Sequence, residues 1–182
     1  MLLHDTEGIL DTYNSPEFFH TPAPSSRIHV LKSIWLPAGR FMGNKQTKEA
    51  LKKKGVRAVT LAEELLSRSP IDAVLEKRAS ETEIVIVEGV PLGFSRAAPV
   101  GELCESALGH RFSQCSMGEV RDLCLQYETD RDEWLTIVTA GPVGFLIFSF
   151  GKVNGNPWLY VRKVSHRHAC DPAAHFVFER MA

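Results

Sequence analysis

Three histidines and a cysteine lie close together in the sequence: His166, His168, Cys170 and His175, here called the His/Cys cluster. If the chain is extended through Cys170, the first three side chains point to one face, because side chains alternate along a strand. A turn at Asp171-Pro172 would then bring His175 back toward them. Imidazole nitrogens and thiolates are zinc ligands, so one interpretation is a zinc site. The spacing matches no standard zinc motif, and we favour a second interpretation, a polar strand–turn–strand with solvated imidazoles.

The chain has four cysteines: Cys104, Cys115, Cys124 and Cys170. Cys115 precedes a predicted helix N-terminus, a position that lowers a thiol pKa, and His110 is the nearest candidate base in sequence. Cysteine is among the residue types most often buried, so we expect Cys115 and Cys124 to be core residues instead. A chain of 182 residues buries a core without disulfides. The cysteines therefore predict free thiols in a reducing compartment, the cytoplasm.

Positive charge is concentrated in one short segment. Seven basic residues and one acidic residue, Glu49, lie between Arg40 and Arg57, a local net charge of +6. The rest of the chain has 14 basic and 21 acidic residues, a net charge of −7. We expect the segment to bind an acidic protein; nucleic acid is the alternative, although no aromatic residue is interleaved with the lysines. The predicted contact residues are Arg40, Lys45, Lys48, Lys52, Lys53, Lys54 and Arg57.

Several familiar catalytic motifs are missing from the sequence. It has no glycine-rich phosphate loop, no serine elbow and no recognisable pair of catalytic carboxylates. No apolar run approaches the roughly 18 residues of a membrane-spanning helix, and the N-terminal residues lack the features of a secretory signal. These absences favour a non-catalytic protein that binds a macromolecular partner, with no cofactor and no membrane. The alternative is a small enzyme or metal-binding protein that uses the His/Cys cluster.

The elements that would position these residues follow from a near repeat at an offset of 56 residues. Residues 27–37 and 83–93 are both typical of strands. Thr60–Glu63 and Ser116–Glu119 both fit a capping box, in which a hydroxyl and a carboxylate satisfy free helix N–H groups. We therefore predict two strand–helix–helix repeats, one at 27–70 and one at 83–128. An unpaired strand edge or apolar helix face after the first repeat could be covered by the N-terminal arm or by a second subunit in a homodimer.

Short β-rich runs follow the second repeat. They are separated by the turn signals Gly141-Pro142, Asn154-Gly155 and Asp171-Pro172. Asn-Gly favours a hairpin, because a type I′ turn needs positive φ at both central residues. We predict a four-stranded antiparallel meander at 134–180 and an α+β fold class. Residues 1–26, rich in Pro, Ser and Thr, indicate a partly ordered N-terminal arm, and 27–182 a single α+β domain.

Part of the chain resembles a group of uncharacterised bacterial proteins that share an E-L-C-P-x-E-V…L-R-L-Q-Y…E-W-L-x-I…F-V-F pattern. The resemblance covers about residues 45–66 and 84–179. The matching positions include Cys115, Glu119-Val120, Leu125-Gln126-Tyr127, Glu133-Trp134-Leu135, Ile137, Pro142 and Phe176-Val177-Phe178. The first repeat lacks the strands that the pattern places after its helices, and the His/Cys cluster is not part of the pattern. Because the group has no known activity, the resemblance implies an architecture and no function.

Overall fold

A large mixed β-sheet runs through the centre of the molecule. The structure, a computed structural model, describes residues 28–37, 44–67, 81–130, 133–141 and 144–182. The described strands are β1 (Lys32–Leu36), β2 (Arg57–Ala58), β3 (Thr82–Glu88), β4 (Ala98–Pro99), β5 (Phe112–Ser113), β6 (Trp134–Ala140), β7 (Phe145–Val153), β8 (Asn156–Val164), β9 (Ala169–Cys170) and β10 (His175–Arg180). The helices are α1 (Asn44–Lys54), α2 (Thr60–Ser67), α3 (Val100–Gly109) and α4 (Met117–Gln126), with a 3-10 turn at Val90–Leu92. The predicted N-terminal arm, residues 1–26, lies outside the described residues.

Eight of the strands form one sheet. Their order is β1-β3-β10-β6-β7-β8-β2, and β5 pairs alongside β10. β10 runs parallel to β6, and β2 runs parallel to β8, whereas the other pairs in this sheet are antiparallel. β4 and β9 form a separate antiparallel ribbon. Within the described residues, the edges of the sheet are therefore β1 and β2.

The hairpin between β7 and β8 confirms the turn that the sequence predicts. The backbone φ angle is 52° at Asn154 and 77° at Gly155. Positive φ at both positions is what a type I′ turn requires, and its twist matches that of the two strands it joins. The ladder continues without interruption from the Val153–Asn156 pair to the Phe145–Val164 pair.

The predicted four-stranded meander is wrong in its last strand. β6, β7 and β8 are consecutive antiparallel neighbours, but β10 lies between β3 and β6 and does not pair with β8. Val177 is opposite Ile86 on one side and opposite Ile137 on the other. Phe176, Val177 and Phe178 are all fully buried. A strand with apolar side chains on both faces is stabilised more at the centre of a covered sheet than at an edge, and this outweighs the local turn signal at residues 171–172.

Helices cover both faces of the sheet. On one face, Leu51 of α1 and Leu123 of α4 share a core cluster with Ile86 of β3. On the opposite face, Leu103 of α3 shares a second core cluster with Val87 of β3. Neighbouring residues of one strand enter different clusters because side chains alternate between the faces. We call these the α1 face and the α3 face.

The predicted strand–helix–helix repeats are also wrong, although the chain is an α+β protein. Ser116 and Glu119 form a complete capping box, with N···O distances of 3.2 Å and 2.7 Å, and α2 begins at Thr60. The first helices of the two segments, however, lie on opposite faces of the sheet. Ile28 precedes β1, whereas Ile84 lies within β3. Local capping determines where a helix begins, but the face that it covers depends on non-local packing.

A glycine in β7 permits close packing of a tryptophan and provides a test of the register. A Cβ added at Gly151 would lie 2.5 Å from Cδ2 of Trp134 and 2.8 Å from the carbonyl oxygen of Glu133. We expect Gly151→Ala to lower the free energy of unfolding by about 1–3 kcal/mol, the usual cost of overpacking. Gly109→Ala is the matched control, because a Cβ there meets nothing within 4 Å. Urea unfolding followed by circular dichroism measures the unfolding midpoint of each variant. Equal midpoints for Gly151→Ala and Gly109→Ala would contradict the packing of Trp134 against Gly151.

Candidate functional site

The His/Cys cluster lies beside the N-terminus of α3. The N–H groups of Val100 and Gly101, the first two residues of α3, donate to the carbonyl oxygens of His168 (2.8 Å) and His166 (3.1 Å). The preceding residue, Pro99, provides no side-chain cap. A helix begins with N–H groups that have no partner within the helix, and here the backbone of the cluster satisfies two of them. The backbone of this segment therefore has a structural function that its side-chain types did not indicate.

The side chains of the His/Cys cluster are not assembled around one point. The imidazole of His166 packs edge-on against Phe145, with 4.6 Å between ring centroids, and Cys170 is buried in the core cluster of the α3 face. The imidazole of His175 lies 3.9 Å from a carboxylate oxygen of Glu88 and 4.0 Å from one of Glu133. Nowhere in the described parts of the chain are three His, Cys, Asp or Glu side chains grouped so that they could hold a metal ion.

The four cysteines are free and buried. The thiol of Cys115 contacts the carbonyl oxygen of Val177, with an S···O distance of 3.8 Å, in the core of the α1 face. His110, the candidate base, follows the end of α3, on the opposite side of the sheet. Burial raises the pKa of the Cys104 thiol to about 12 and also raises the pKa of Cys124. Because the thiolate is the nucleophile, these environments suit core packing and not covalent catalysis.

The lysines of α1 lie on the outer side of that helix. Thr47 and Leu51 are buried, whereas Lys48, Lys52 and Lys53 are exposed and form no ion pair with a described residue. Two further lysines have acidic neighbours: Lys45 lies 3.9 Å from Glu49, and Lys54 lies 3.0 Å from Glu128. Arg40 lies outside the described residues. The described residues therefore leave most of the positive charge on this face of α1 without an opposite charge.

The last basic residue of this segment, Arg57, contacts an aromatic ring that sequence reasoning missed. Arg57 is paired with Trp158 across β2 and β8, and its guanidinium carbon is 5.7 Å from the centroid of the Trp158 ring. Trp158 is stacked on Tyr160 (5.6 Å between centroids, 9° between planes), and Tyr160 lies 5.9 Å from Trp134. Trp134 and Tyr160 are each 38% exposed. Three aromatic rings and an arginine thus form an accessible patch at the edge of the sheet.

Strand register explains why these rings meet. Trp134 is paired with Gly151 across β6 and β7, and Gly151 is paired with Trp158 across β7 and β8. The middle residue of this row has no side chain, so the Trp134 ring can lie over the backbone of β7. Leu159 faces the α1 core, and its neighbours Trp158 and Tyr160 therefore point to the opposite face. The alternation of Trp158 and Tyr160 was visible in the sequence. The pairing of β2 with β8, which brings Arg57 to Trp158, was not.

We call the combined set the basic–aromatic surface. It comprises Lys45, Lys48, Lys52, Lys53, Arg57, Trp134, Trp158 and Tyr160. The lysines lie on α1, which covers the α1 face, and the three aromatic rings lie on the opposite face of the sheet. Arg57 belongs to both parts, because it continues the basic segment and contacts Trp158.

A second polar group lies where α4 ends. The ammonium of Lys32 donates to the hydroxyl of Tyr127 (2.5 Å), which donates to the carboxylate of Glu133 (2.8 Å). Burial raises the pKa of Tyr127, and the hydrogen bond with Tyr127 raises the pKa of Lys32. Tyr127 therefore stays a neutral phenol that links a cation to an anion. This network joins β1, α4 and the residue preceding β6, and we interpret it as a structural tie.

Comparison of the chain with protein-family models, with curated proteins and with solved structures gives no match in any of the three. The resemblance to the uncharacterised bacterial group therefore stays a prediction.

Among the helices that the structure describes, none has the length and apolar character needed to cross a membrane. β1 exposes Trp35 (62%) at the edge of the sheet, and the homodimer suggested by the sequence stays a prediction as well.

The burial of the thiols predicts low reactivity in the folded protein. At pH 8 we expect Cys104 and Cys124 to react with Ellman's reagent at least about a hundredfold more slowly in the native protein than in guanidinium chloride, because few thiolates form and access is blocked. Peptide mapping after alkylation identifies which thiol reacts. Fast labelling of either residue in the native protein would show that the core of the sheet opens readily.

Proposed function

We propose that the protein is a non-catalytic binding protein whose basic–aromatic surface docks an acidic protein partner. The observation that carries this proposal is the contact between Arg57 and Trp158, which joins the basic segment to an exposed aromatic patch. Charge alone would support only non-specific attraction. The combination of exposed lysines with clustered aromatic side chains supports a defined docking site.

The two parts of the surface have different physical roles. Exposed lysines that form no ion pair with a described residue attract an acidic partner over distances of about the Debye length, roughly 10 Å at 0.1 M salt, and they raise the association rate. Tryptophan, tyrosine and arginine are the residue types that most often dominate the free energy of a protein interface. Arg57 over Trp158 adds a cation–π interaction of about 0.5–1 kcal/mol at an exposed site, and it holds both side chains in place before binding.

The charge distribution and the thiols support the same proposal. The −7 charge on the rest of the chain disfavours contact of an acidic partner with other surfaces, so docking is directed to one side. The four free thiols are consistent with the reducing, cytoplasmic location that we propose for the protein.

Charge reversal tests the lysine part of the proposal. We expect Lys52→Glu with Lys53→Glu to weaken partner binding at least about tenfold at 50 mM salt, with a smaller difference at 300 mM salt. The matched control is Arg96→Glu with Arg167→Glu, which makes the same charge change at exposed positions near the β4–β9 ribbon. Co-purification from cells followed by mass spectrometry identifies the partner, and calorimetry then measures the dissociation constants. Equal affinities for the two double variants would contradict the proposal.

Single-stranded nucleic acid is the second candidate partner, and the stacked rings favour it. Exposed aromatic rings beside cations bind bases without sequence preference, at about 1–3 kcal/mol per stacked base. On this alternative, Trp158→Leu should weaken binding of a fluorescent oligothymidine about tenfold, measured by anisotropy, whereas Trp35→Leu at the opposite sheet edge should not. No binding of the oligonucleotide at 50 mM salt would exclude this candidate and leave the acidic protein.

A further inference from the structure

The outer neighbour of β8 covers only a small part of that strand. β8 has nine residues, whereas β2 has two and pairs only with Trp158 and Leu159. After β2 the chain enters α2, whose residues Ala62 and Leu66 are buried in the core of the α1 face. Within the part of the chain that the structure describes, no strand pairs with the outer side of residues 160–164. We call this stretch the open edge of β8.

The ladder with β7 determines which backbone groups of the open edge face outward. In an antiparallel pair, successive residues direct their N–H and C=O groups alternately toward the partner strand and away from it. The carbonyl oxygen of Leu159 accepts from the N–H of Val59 (3.1 Å), on the side away from β7. By the same alternation, the N–H and C=O groups of Val161 and Lys163 point outward, and no other described residue forms a backbone hydrogen bond with them there.

The open edge carries positive charge and no negative charge. Arg162 and Lys163 are exposed, and Arg57 lies beside the edge in β2. Residues 156–170 include three basic residues and no acidic one. Such charges protect an edge strand from pairing with a second copy of the same chain, because like charges would meet. They favour instead a strand whose side chains are acidic.

We propose that the open edge of β8 binds an extended acidic segment of the partner protein by β-strand addition. This proposal rests on the proposed function and names the form in which the acidic partner docks. The outward groups of Val161 and Lys163 pair with the backbone of the segment, and main-chain pairing of this kind supplies affinity. Tyr160 and Arg162 share one face of β8, so they select a segment in which acidic and apolar side chains alternate.

Amide hydrogen exchange of the full chain, read for each residue by NMR, tests whether the edge is open. The N–H groups of Tyr160 and Arg162 point to β7, so they should be protected at least about tenfold more strongly than those of Val161 and Lys163. Equal protection of all four amides in the free protein would show that another part of the chain covers the edge, and would overturn the proposal.

The probe for binding is an acetylated peptide of about eight residues in which glutamate and valine alternate. At saturation it should slow the exchange of the Val161 and Lys163 amides at least about fivefold. The control peptide has proline in place of each valine, so it has the same charge but lacks half of the N–H donors, and it should give no protection. Equal protection by the two peptides, or protection by neither, would contradict strand addition.

Two variants of one residue separate backbone pairing from charge. Lys163→Pro and Lys163→Gln both remove a positive charge, but only proline removes the outward N–H. Pro157 already occupies an outward position in β8, so the ladder with β7 should be kept. Lys163→Pro should bind the glutamate–valine peptide at least about tenfold more weakly than Lys163→Gln, and equal affinities would refute the proposal. If Lys163→Pro does not fold, the exchange experiments on the unchanged protein decide the question.

The cellular partner distinguishes this proposal from the proposed function. Full binding of the partner by Lys163→Pro, with loss of binding in Lys52→Glu with Lys53→Glu, would overturn strand addition and leave docking on the basic–aromatic surface in place. Full binding by both variants would overturn the two proposals together.

Discussion

The fold depends on the pairing of β10 with a strand on each of its edges. On one edge β10 pairs with β3, and β3 pairs with β1. On the other edge β10 pairs with β6, the first strand of the antiparallel unit β6–β7–β8. Its side chains complete both cores, with Phe176 and Phe178 in one and Val177 in the other. Each of these buried side chains contributes about 1.5–3 kcal/mol relative to an exposed one. Without β10, the large sheet divides into β1–β3 and β6–β7–β8–β2, which share no backbone ladder, and β5 loses the strand with which it pairs.

Features that depend on neighbouring residues could be predicted from the sequence. The Asn154-Gly155 turn requires only that two adjacent residues accept positive φ, and the Ser116–Glu119 box satisfies N–H groups within one helical turn. The position of β10 could not be predicted in this way. Its turn signal at residues 171–172 fits a hairpin with the preceding strand, whereas its apolar residues fit a central position, and only the packing of distant elements decides between them.

In the candidate sites, too, features that depend on neighbouring residues could be predicted and features that depend on distant elements could not. The positive charge of the α1 segment is visible in the sequence, and the burial of Leu51 in the structure leaves the lysines on the outer side of the helix. The contact of Arg57 with Trp158 depends on the pairing of β2 with β8, two elements far apart in sequence. At residues 166 and 168 the side chains suggested metal chemistry, but the backbone carbonyls have the structural role, and sequence patterns do not report on backbone acceptors.

The mixed order of the sheet has a consequence for how the chain folds. β6, β7 and β8 follow one another with short connections, so this unit closes only small loops and can form early. β3, in contrast, waits for its second partner until α3, α4 and the whole β6–β8 unit have been synthesised. During that interval, the edges of β3 and β6 that later receive β10 are both open. A chain in which the β6–β8 unit has formed and β10 has not yet inserted would have two unpaired strand edges, and unpaired edges favour aggregation.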